Sequence, residues 1–282
     1  MPFLAVFYLV LLLVFLALLL GLKRPSNTRN WKPDMARPVR AEIADDTITL
    51  HNVRNIHYGE PGTSYEAVWE TRTYDLSRAT RLWFAIESFS RLEVIAHTLL
   101  SFEVEDGEYL AFSAEARLKQ GEKYGIVPGL LRDFELIYTF GTERDFILRR
   151  TNYQDHDVYL YPLTLTPEEV QSILRDALAG ANTLRETPRF YNSITRNCTN
   201  ILFRLFNRTH PGTIGAFALA QVLPGLSDRM LYRKGLIDTP LPFPEIRDAY
   251  NVHELGQRYR DDPNVSARLR EKMPELRSKA EG

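Results

Sequence analysis

The residue with the clearest chemical potential is Cys198, the only cysteine among 282 residues, within F-Y-N-S-I-T-R-N-C-T-N-I-L-F-R-L-F from Phe190 onward. Asn197 before it is a preferred helix N-cap residue. The buried stripe of the helix that would follow consists of Ile201, Leu202, Leu205 and Phe206. Free N–H groups at a helix start lower the pKa of a thiol and can stabilise an oxyanion. The pattern therefore indicates a nucleophilic cysteine.

The competing interpretation is that Cys198 is structural, because a free cysteine more often serves as a small core hydrophobe. Its polar neighbours Asn197, Thr199 and Asn200 favour the nucleophile, since a core cysteine usually has apolar neighbours. The structural interpretation predicts a buried thiol that lies far from any base.

A thiol nucleophile needs a base, and His97 in V-I-A-H-T-L-L-S-F is the candidate. A three-residue E-D-G turn at 105–107 would place Val104 opposite Glu108, and His97 opposite Glu115. Glu115 would then orient the imidazole and stabilise its charged form. A two-residue turn would place Ala116 there instead.

Five further residues are candidates around this pair. Ser113 and Ser101 are weaker alternatives to Glu115 as partners of His97. Ser113 and Asn197 are also predicted to contact the substrate, and Arg144, or alternatively Arg149, to hold an anionic head group.

The elements that must position these residues are strands followed by helices. Alternation of apolar and β-branched residues predicts strands at 47–53, 68–74, 80–88, 95–104, 108–116, 134–138 and 157–163. Helices are predicted from Thr166-Pro167, from Cys198 and, in proline-punctuated form, beyond Pro211. This order predicts an α+β fold.

Residues Phe3 to Leu22 form an uncharged run of 20 residues, which predicts a retained transmembrane anchor. Residues 23–40 are interpreted as a linker, 41–210 as the catalytic domain and 211–282 as a helical extension packed on it. Lys23 and Arg24 follow the run, so the positive-inside rule taken alone would place the domain in the cytoplasm.

Composition excludes several functions. The net charge is −1 with interspersed signs, so no nucleic-acid partner is expected. One cysteine and six scattered histidines without ligand spacing predict no metal site, and no cofactor is expected.

Ten motifs in fixed order resemble one bacterial family, the Lnb N-terminal periplasmic domain family. They are W-K-P-D (31–34), H-N-V-R-N (51–55), W-E-T-R-T-Y-D-L (69–76), I-A-H-T-L-L-S-F (95–102), S-A-E-A-R (113–117), F-E-L-I-Y (134–138), E-R-D (143–145), L-Y-P-L (160–163), P-R-F-Y-N (188–192) and N-C-T (197–199). The resemblance extends from about Trp31 past Leu241.

The resemblance implies a permuted papain-like (NlpC-like) fold with histidine before cysteine, and an association with lipoprotein N-acylation in bacterial envelopes. It implies Cys198 as nucleophile, His97 as base and Glu115 as the acidic residue. This chain departs from the full-length acyltransferase in lacking its further membrane spans.

The resulting hypothesis is an inner-membrane, single-pass Cys–His acyltransferase that faces the periplasm. An acyl chain would pass from a membrane phospholipid through a Cys198 thioester to an amine, such as a lipoprotein N-terminus. Two alternatives stay open: a thiol hydrolase that cuts a peptidoglycan amide or a lipid ester, and a non-enzymatic envelope scaffold.

Overall fold

A computed structural model describes residues 2–59, 63, 65–89, 94–105, 107–215 and 218–274. Within them, eight strands form one sheet. The strands are β1 (Arg40–Ala44), β2 (Thr47–Arg54), β3 (Trp69–Asp75), β4 (Arg81–Ser88), β5 (Ala96–Glu105), β6 (Glu108–Arg117), β7 (Glu135–Thr142) and β8 (Asp157–Pro162).

The strand order is β1-β2-β7-β6-β5-β4-β8, and β3 pairs with β2. All pairings are antiparallel except the single contact of β2 with β7, which is parallel. The seven predicted strands are confirmed, although β7 continues four residues beyond its predicted end at Tyr138. Strand β1 was not predicted, because its five residues R-A-E-I-A carry little apolar alternation.

The helices are α1 (Pro2–Leu22), α2 (Ile126–Leu130), α3 (Glu143–Leu148), α4 (Pro167–Glu186), α5 (Cys198–Thr209), α6 (Ser227–Arg233), α7 (Phe243–Tyr250), α8 (His253–Arg258) and α9 (Val265–Arg268). The predicted helix starts of α4 and α5 are confirmed. Thr166 and Glu169 form a reciprocal capping box at α4, which satisfies two backbone N–H groups. The α+β class is therefore confirmed.

The sheet separates two apolar cores, because side chains alternate along each strand. On β4, Phe84 belongs to the larger core with α4 and α5, whereas Trp83 belongs to the smaller core with α3, α8 and α9. The central strands are therefore buried on both faces, and the helix that carries Cys198 lies on only one of them.

The N-terminal run folds as helix α1, as its composition predicts. Across the residues that the structure describes, no helix meets the combined length and apolarity needed for a membrane span. The segment predicted to be a linker lies against the domain. Trp31 is buried under the Arg117 guanidinium, which is 4.2 Å from the Trp31 ring centroid and donates to the Asn27 side chain.

A buried ion pair fixes the corner between β7 and α3. The Arg54 side chain contacts both carboxylate oxygens of Asp145, with Nη2 2.8 Å from Oδ1, and both side chains are fully buried. Gly141 allows β2 to approach there, because a Cβ atom at this position would lie 2.6 Å from the Arg54 carbonyl oxygen. Helix α3 then continues into a π-helical turn, Arg149–Tyr153.

We expect Asp145→Ala to lower the free energy of unfolding by about 3–5 kcal/mol, because it leaves the Arg54 charge buried and unpaired. Asp46→Ala is the control, since Asp46 forms only an exposed pair with Arg175 and its loss should cost under about 1 kcal/mol. Urea unfolding followed by tryptophan fluorescence measures both. Equal effects of the two substitutions would contradict this account of the corner.

Candidate functional site

The β5–β6 hairpin sets the position of His97. Leu100 lies opposite Phe112 and Glu103 opposite Tyr109, which is the predicted register. The predicted three-residue turn is wrong: Glu105 pairs with Glu108, so the turn has two residues, and Asp106 lies outside the described residues. A bulge between Glu103 and Glu105 absorbs the extra residue and restores the register.

Pairing of β5 with β6 ends at Leu100 and Phe112, although the strands continue to Ala96 and Arg117. Beyond this point the strands separate, and β6 remains paired with β7. Side chains two residues apart on a strand point to the same face. His97 therefore shares the face of Leu99, and Ser113 and Glu115 share the face of Ala111. Leu99 and Ala111 belong to the smaller core, so all three side chains lie on its side of the sheet. Helix α5 brings Cys198 to this opening from the other core.

Cys198 is the first residue of α5 and is 4% exposed. The predicted cap is confirmed: Asn197 Oδ1 accepts from the Asn200 N–H at 2.8 Å. Asn197 Nδ2 donates to the carbonyls of Ser193 and Gln221. Asn197 therefore holds the helix start, and it also lines the cavity; the predicted substrate contact stays a prediction.

The Cys198 thiol and the His97 imidazole line the same cavity and interact electrostatically, while Cys198 Sγ also lies 3.8 Å from Thr199 Oγ1. Burial disfavours the thiolate, but the His97 charge and hydrogen bonds from His97 and Thr98 outweigh it and lower the pKa of Cys198 to about 7. Burial likewise opposes the imidazolium, yet the Cys198 charge and hydrogen bond raise the pKa of His97 above its usual value. The pair therefore favours thiolate with imidazolium.

The direct partner of His97 is Ser113, whose Oγ lies 2.7 Å from Nε2. Glu115 Oε1 is more distant from the same nitrogen, at 3.9 Å. Ser113 was predicted only as a weaker alternative and as a substrate contact. The predicted β5–β6 register could have identified Ser113 as the partner of His97, because it makes Ser113 the diagonal neighbour of His97 on the same face.

Glu115 acts as a charge near His97 rather than as its hydrogen-bond partner. Burial would raise the pKa of Glu115, but Arg54, Arg149, His97 and Arg150 hold it at about 2. Its Oε1 is buried without a hydrogen-bond partner, and the nearest Arg150 nitrogen is 3.5 Å away. Glu115 is therefore an ionised carboxylate beside the imidazolium.

A second buried carboxylate, Glu87, was missed by the sequence analysis. It lies opposite His97 on β4. Its oxygens contact Arg150 Nε at 2.7 Å and His156 Nδ1 at 2.8 Å. Burial opposes ionisation, but Arg150 and the two histidines keep the pKa of Glu87 at about 2. The β4–β5 register would have revealed this neighbour.

The structure does not bring Arg144 to the cavity. Its guanidinium donates to the backbone carbonyls of Arg260 and Asp262, and it does not line the site. The alternative, Arg149, does line the site and pairs with the buried Asp34 at 2.9 Å. The reason is the π-helical turn after α3, which turns Arg149 and Arg150 towards the cavity, whereas Arg144 lies in the first turn of α3.

Cys198 and His97 line a half-open cavity of about 650 Å³, a size typical of ligand sites. Much of its wall is apolar, including Met35, Ile95, Ala96, Leu118, Tyr124, Ile126, Tyr191, Val222 and Leu223. Charged groups from Glu87, Glu115, Arg149 and Arg150 line another part. The arrangement can present a thiolate to a carbonyl group of a largely apolar ligand.

We expect Glu115→Gln to lower the pKa of His97, because the substitution removes a negative charge beside the imidazolium. Ser113→Ala should shift it much less, since the hydroxyl is neutral. Imidazole NMR titration measures both, with His210, which pairs with Glu169 at 2.8 Å, as an internal reference. A larger shift in Ser113→Ala than in Glu115→Gln would overturn this assignment.

The fold and the site define an α+β protein in which a cysteine at a helix start meets a histidine on a neighbouring strand. The chain belongs to the Lnb N-terminal periplasmic domain family, whose sequence model matches residues 65–224. The match includes Cys198, His97, Ser113 and Glu115, and it confirms the predicted family. No curated protein and no solved structure matches the chain.

The family description identifies a periplasmic domain. It supports the periplasmic location predicted from the resemblance. The positive-inside rule, applied to Lys23 and Arg24 alone, pointed to the opposite side.

Proposed function

We propose that this protein is a thiol acyltransferase of the bacterial envelope, which moves an acyl chain from a phospholipid to an amine. The observation that carries the proposal is the Cys198–His97 pair, with the pKa of the thiol lowered to about 7, at the wall of a cavity with many apolar residues. A thiolate suits acyl transfer, because a thioester splits one difficult step into two easier ones.

In the first half-reaction, the Cys198 thiolate attacks the ester carbonyl carbon of the phospholipid. The bond between this carbon and the glycerol oxygen breaks, and the His97 imidazolium donates its proton to the departing oxygen. The products are an acyl-Cys198 thioester and a lysophospholipid. Ser113 holds the imidazole through Nε2, and Glu115 and Glu87 favour its charged form.

In the second half-reaction, the amine attacks the thioester carbonyl while neutral His97 removes its proton. The carbon–sulfur bond breaks and the thiolate–imidazolium pair is restored, so the cycle is balanced. We propose an N-terminal cysteine of a lipoprotein as the acceptor.

The start of α5 supports the oxyanion in both steps. The N–H groups of Cys198 and Thr199 precede the first intrahelical hydrogen bond, from Ile201 N to the Asn197 carbonyl. Tyr191 also lines the cavity, and burial, followed by the nearby Cys198 charge, raises its pKa well above the usual value. It therefore stays a hydroxyl that can donate to an oxyanion.

We also propose that the fold is of the permuted papain-like kind. The support is the order of histidine on a strand before cysteine at a helix start, together with an antiparallel sheet on which that helix packs. The membrane anchor likewise stays a prediction, which rests on the uncharged residues 3–22. Carbonate extraction of cell membranes tests it, and release of the protein into the soluble fraction would contradict it.

The test of the function supplies the full chain with phospholipid vesicles and a peptide that bears an N-terminal diacylglyceryl cysteine. We expect mass spectrometry to detect N-acyl peptide and lysophospholipid in equal amounts. Free fatty acid without N-acyl peptide would replace the proposal with a lipid hydrolase. Absence of both products, with cell-wall fragments also uncut, would favour a scaffold.

A further inference from the structure

Six apolar side chains surround one side of the cavity mouth and are 37% to 63% exposed. This apolar rim consists of Ile126, Val127, Leu131, Ile194, Leu219 and Val222. Three of them, Ile126, Ile194 and Val222, also line the cavity. Large apolar side chains that are grouped at the surface mark sites of contact with proteins or membranes.

Hydrogen bonds join the three segments that carry the apolar rim. Ser193 Oγ donates to the Ile126 carbonyl at 2.9 Å, which connects the loop before α5 to α2. Asn197 Nδ2 donates to the Gln221 carbonyl at 2.7 Å, which connects the same loop to residues 219–222. The rim is therefore one continuous surface held against the helix start that carries Cys198.

Four arginines form a basic cluster in the same part of the molecule: Arg132, Arg189, Arg196 and Arg204. Arg196 donates to the Phe190 carbonyl at 3.3 Å and Arg204 donates to the Thr195 carbonyl, so both guanidinium groups lie along the loop before α5, in which Arg189 also lies. The charges of Arg189, Arg204 and Arg132 all act on Arg196, whose pKa is lowered first by burial and then by these charges. None of the four forms an ion pair with a carboxylate of a described residue. The cluster thus carries unneutralised positive charge beside Leu131 and Ile194.

The uncharged helix α1 ends against this surface. Arg132 Nη1 donates to the Leu20 carbonyl at 2.8 Å, and Lys23 Nζ donates to the Leu131 carbonyl at 2.7 Å. The end of the uncharged helix α1 thus lies next to Leu131 of the apolar rim. This proximity, together with the basic cluster, favours a lipid surface over a protein partner.

We propose that the apolar rim and the basic cluster form one surface that docks on an anionic phospholipid bilayer, with the cavity mouth facing the lipid. The rim enters the boundary between head groups and acyl chains, and the arginines contact lipid phosphates. The inference goes beyond the proposed reaction and does not depend on any chemistry of Cys198.

The test uses the full chain with Cys198→Ser, which removes the only cysteine and so allows a single fluorescent label. An environment-sensitive dye is attached at Val127→Cys, or at Glu254→Cys on α8, which packs on the smaller core. In vesicles rich in phosphatidylglycerol, the dye at 127 should shift to the blue and be quenched by doxyl lipids. The dye at 254 should do neither.

The basic cluster is tested in the labelled chain by Arg189→Gln with Arg204→Gln. Each arginine near an anionic bilayer contributes about fivefold to binding, so this double variant should weaken contact of the apolar rim with the bilayer by up to about 25-fold, seen as a smaller blue shift and less quenching of the dye at 127. Arg233→Gln with Arg258→Gln is the charge-matched control and should not change docking.

Three results would overturn the docking proposal. The first is that the fluorescence of the dye at 127 shows an aqueous environment with every vesicle. The second is that the dyes at 127 and 254 show the same blue shift and quenching. The third is that the two double arginine variants change docking equally. Because these measurements use a chain without the thiol, they stand apart from the test of acyl transfer. Failure of transfer with normal docking would reject only the proposed reaction.

Discussion

Cys198→Ser is expected to abolish the acyl adduct on the protein and to reduce acyl transfer by at least about 10⁴-fold, as loss of a nucleophile does. The serine hydroxyl is of similar size, so the start of α5 should persist. Its hydroxyl ionises far less readily than a thiol whose pKa is about 7, so His97 would face a neutral alcohol. Incubation with phospholipid and intact-mass analysis should show a hydroxylamine-sensitive acyl adduct on the wild type alone.

Thr195→Ala is the matched control for this experiment. It removes an exposed hydroxyl from the same loop, where Thr195 Oγ1 bonds only to the Asn192 side chain. It should leave adduct formation and transfer unchanged. An adduct of normal yield on Cys198→Ser would show that another residue carries the acyl chain, and the proposed mechanism would be wrong.

His97→Gln is expected to lower the alkylation rate of Cys198 at pH 7 by roughly 50-fold or more, together with acyl transfer. Burial raises the pKa of the thiol, and the His97 charge and hydrogen bond are the main effects that lower it to about 7. Without them the pKa returns to about 9 or above, so the thiolate fraction at pH 7 falls from about half to roughly 1% or less.

The pH profile of iodoacetamide alkylation measures this change. In the wild type the rate should rise through about pH 7, and in His97→Gln the rise should move to higher pH. His210→Gln is the control, because His210 lies just beyond α5 and pairs with Glu169 away from the thiol. A wild-type profile that rises only near pH 9, or one that His97→Gln leaves unchanged, would contradict the ion pair.

Local patterns in the sequence were enough to predict most strands and helices and much of the candidate site. The asparagine–cysteine step before an apolar stripe predicted the start of α5, since capping depends on residues next to one another. The predicted hairpin register was correct, although it was derived from a three-residue turn that the structure does not have; a two-residue turn and a bulge at Val104, which the sequence did not reveal, give the same register. Glu115 was correctly placed near His97, whereas the closer contact with Ser113 depends on side-chain geometry that register does not specify.

Long-range contacts decided the remainder. The sequence alone does not distinguish Arg144 from Arg149 as the residue that would hold an anionic head group. The turn after α3 determines which one faces the cavity. Glu87 becomes a neighbour of His97 through strand pairing, and Arg150 joins Glu87 to Glu115 across the sheet. Such charges influence each other over several ångströms irrespective of their separation in the chain.

The sequence by itself determined the α+β class, the family and the identity of the two residues that pair, because these depend on local periodicity, capping and ordered motifs. Only the tertiary structure decided that the thiol and the imidazole line one cavity and interact. This arrangement requires β5 and β6 to separate after Leu100 and Phe112, and α5 to approach the opening from the opposite core. Packing of elements distant in the chain creates that opening, and no local pattern encodes it.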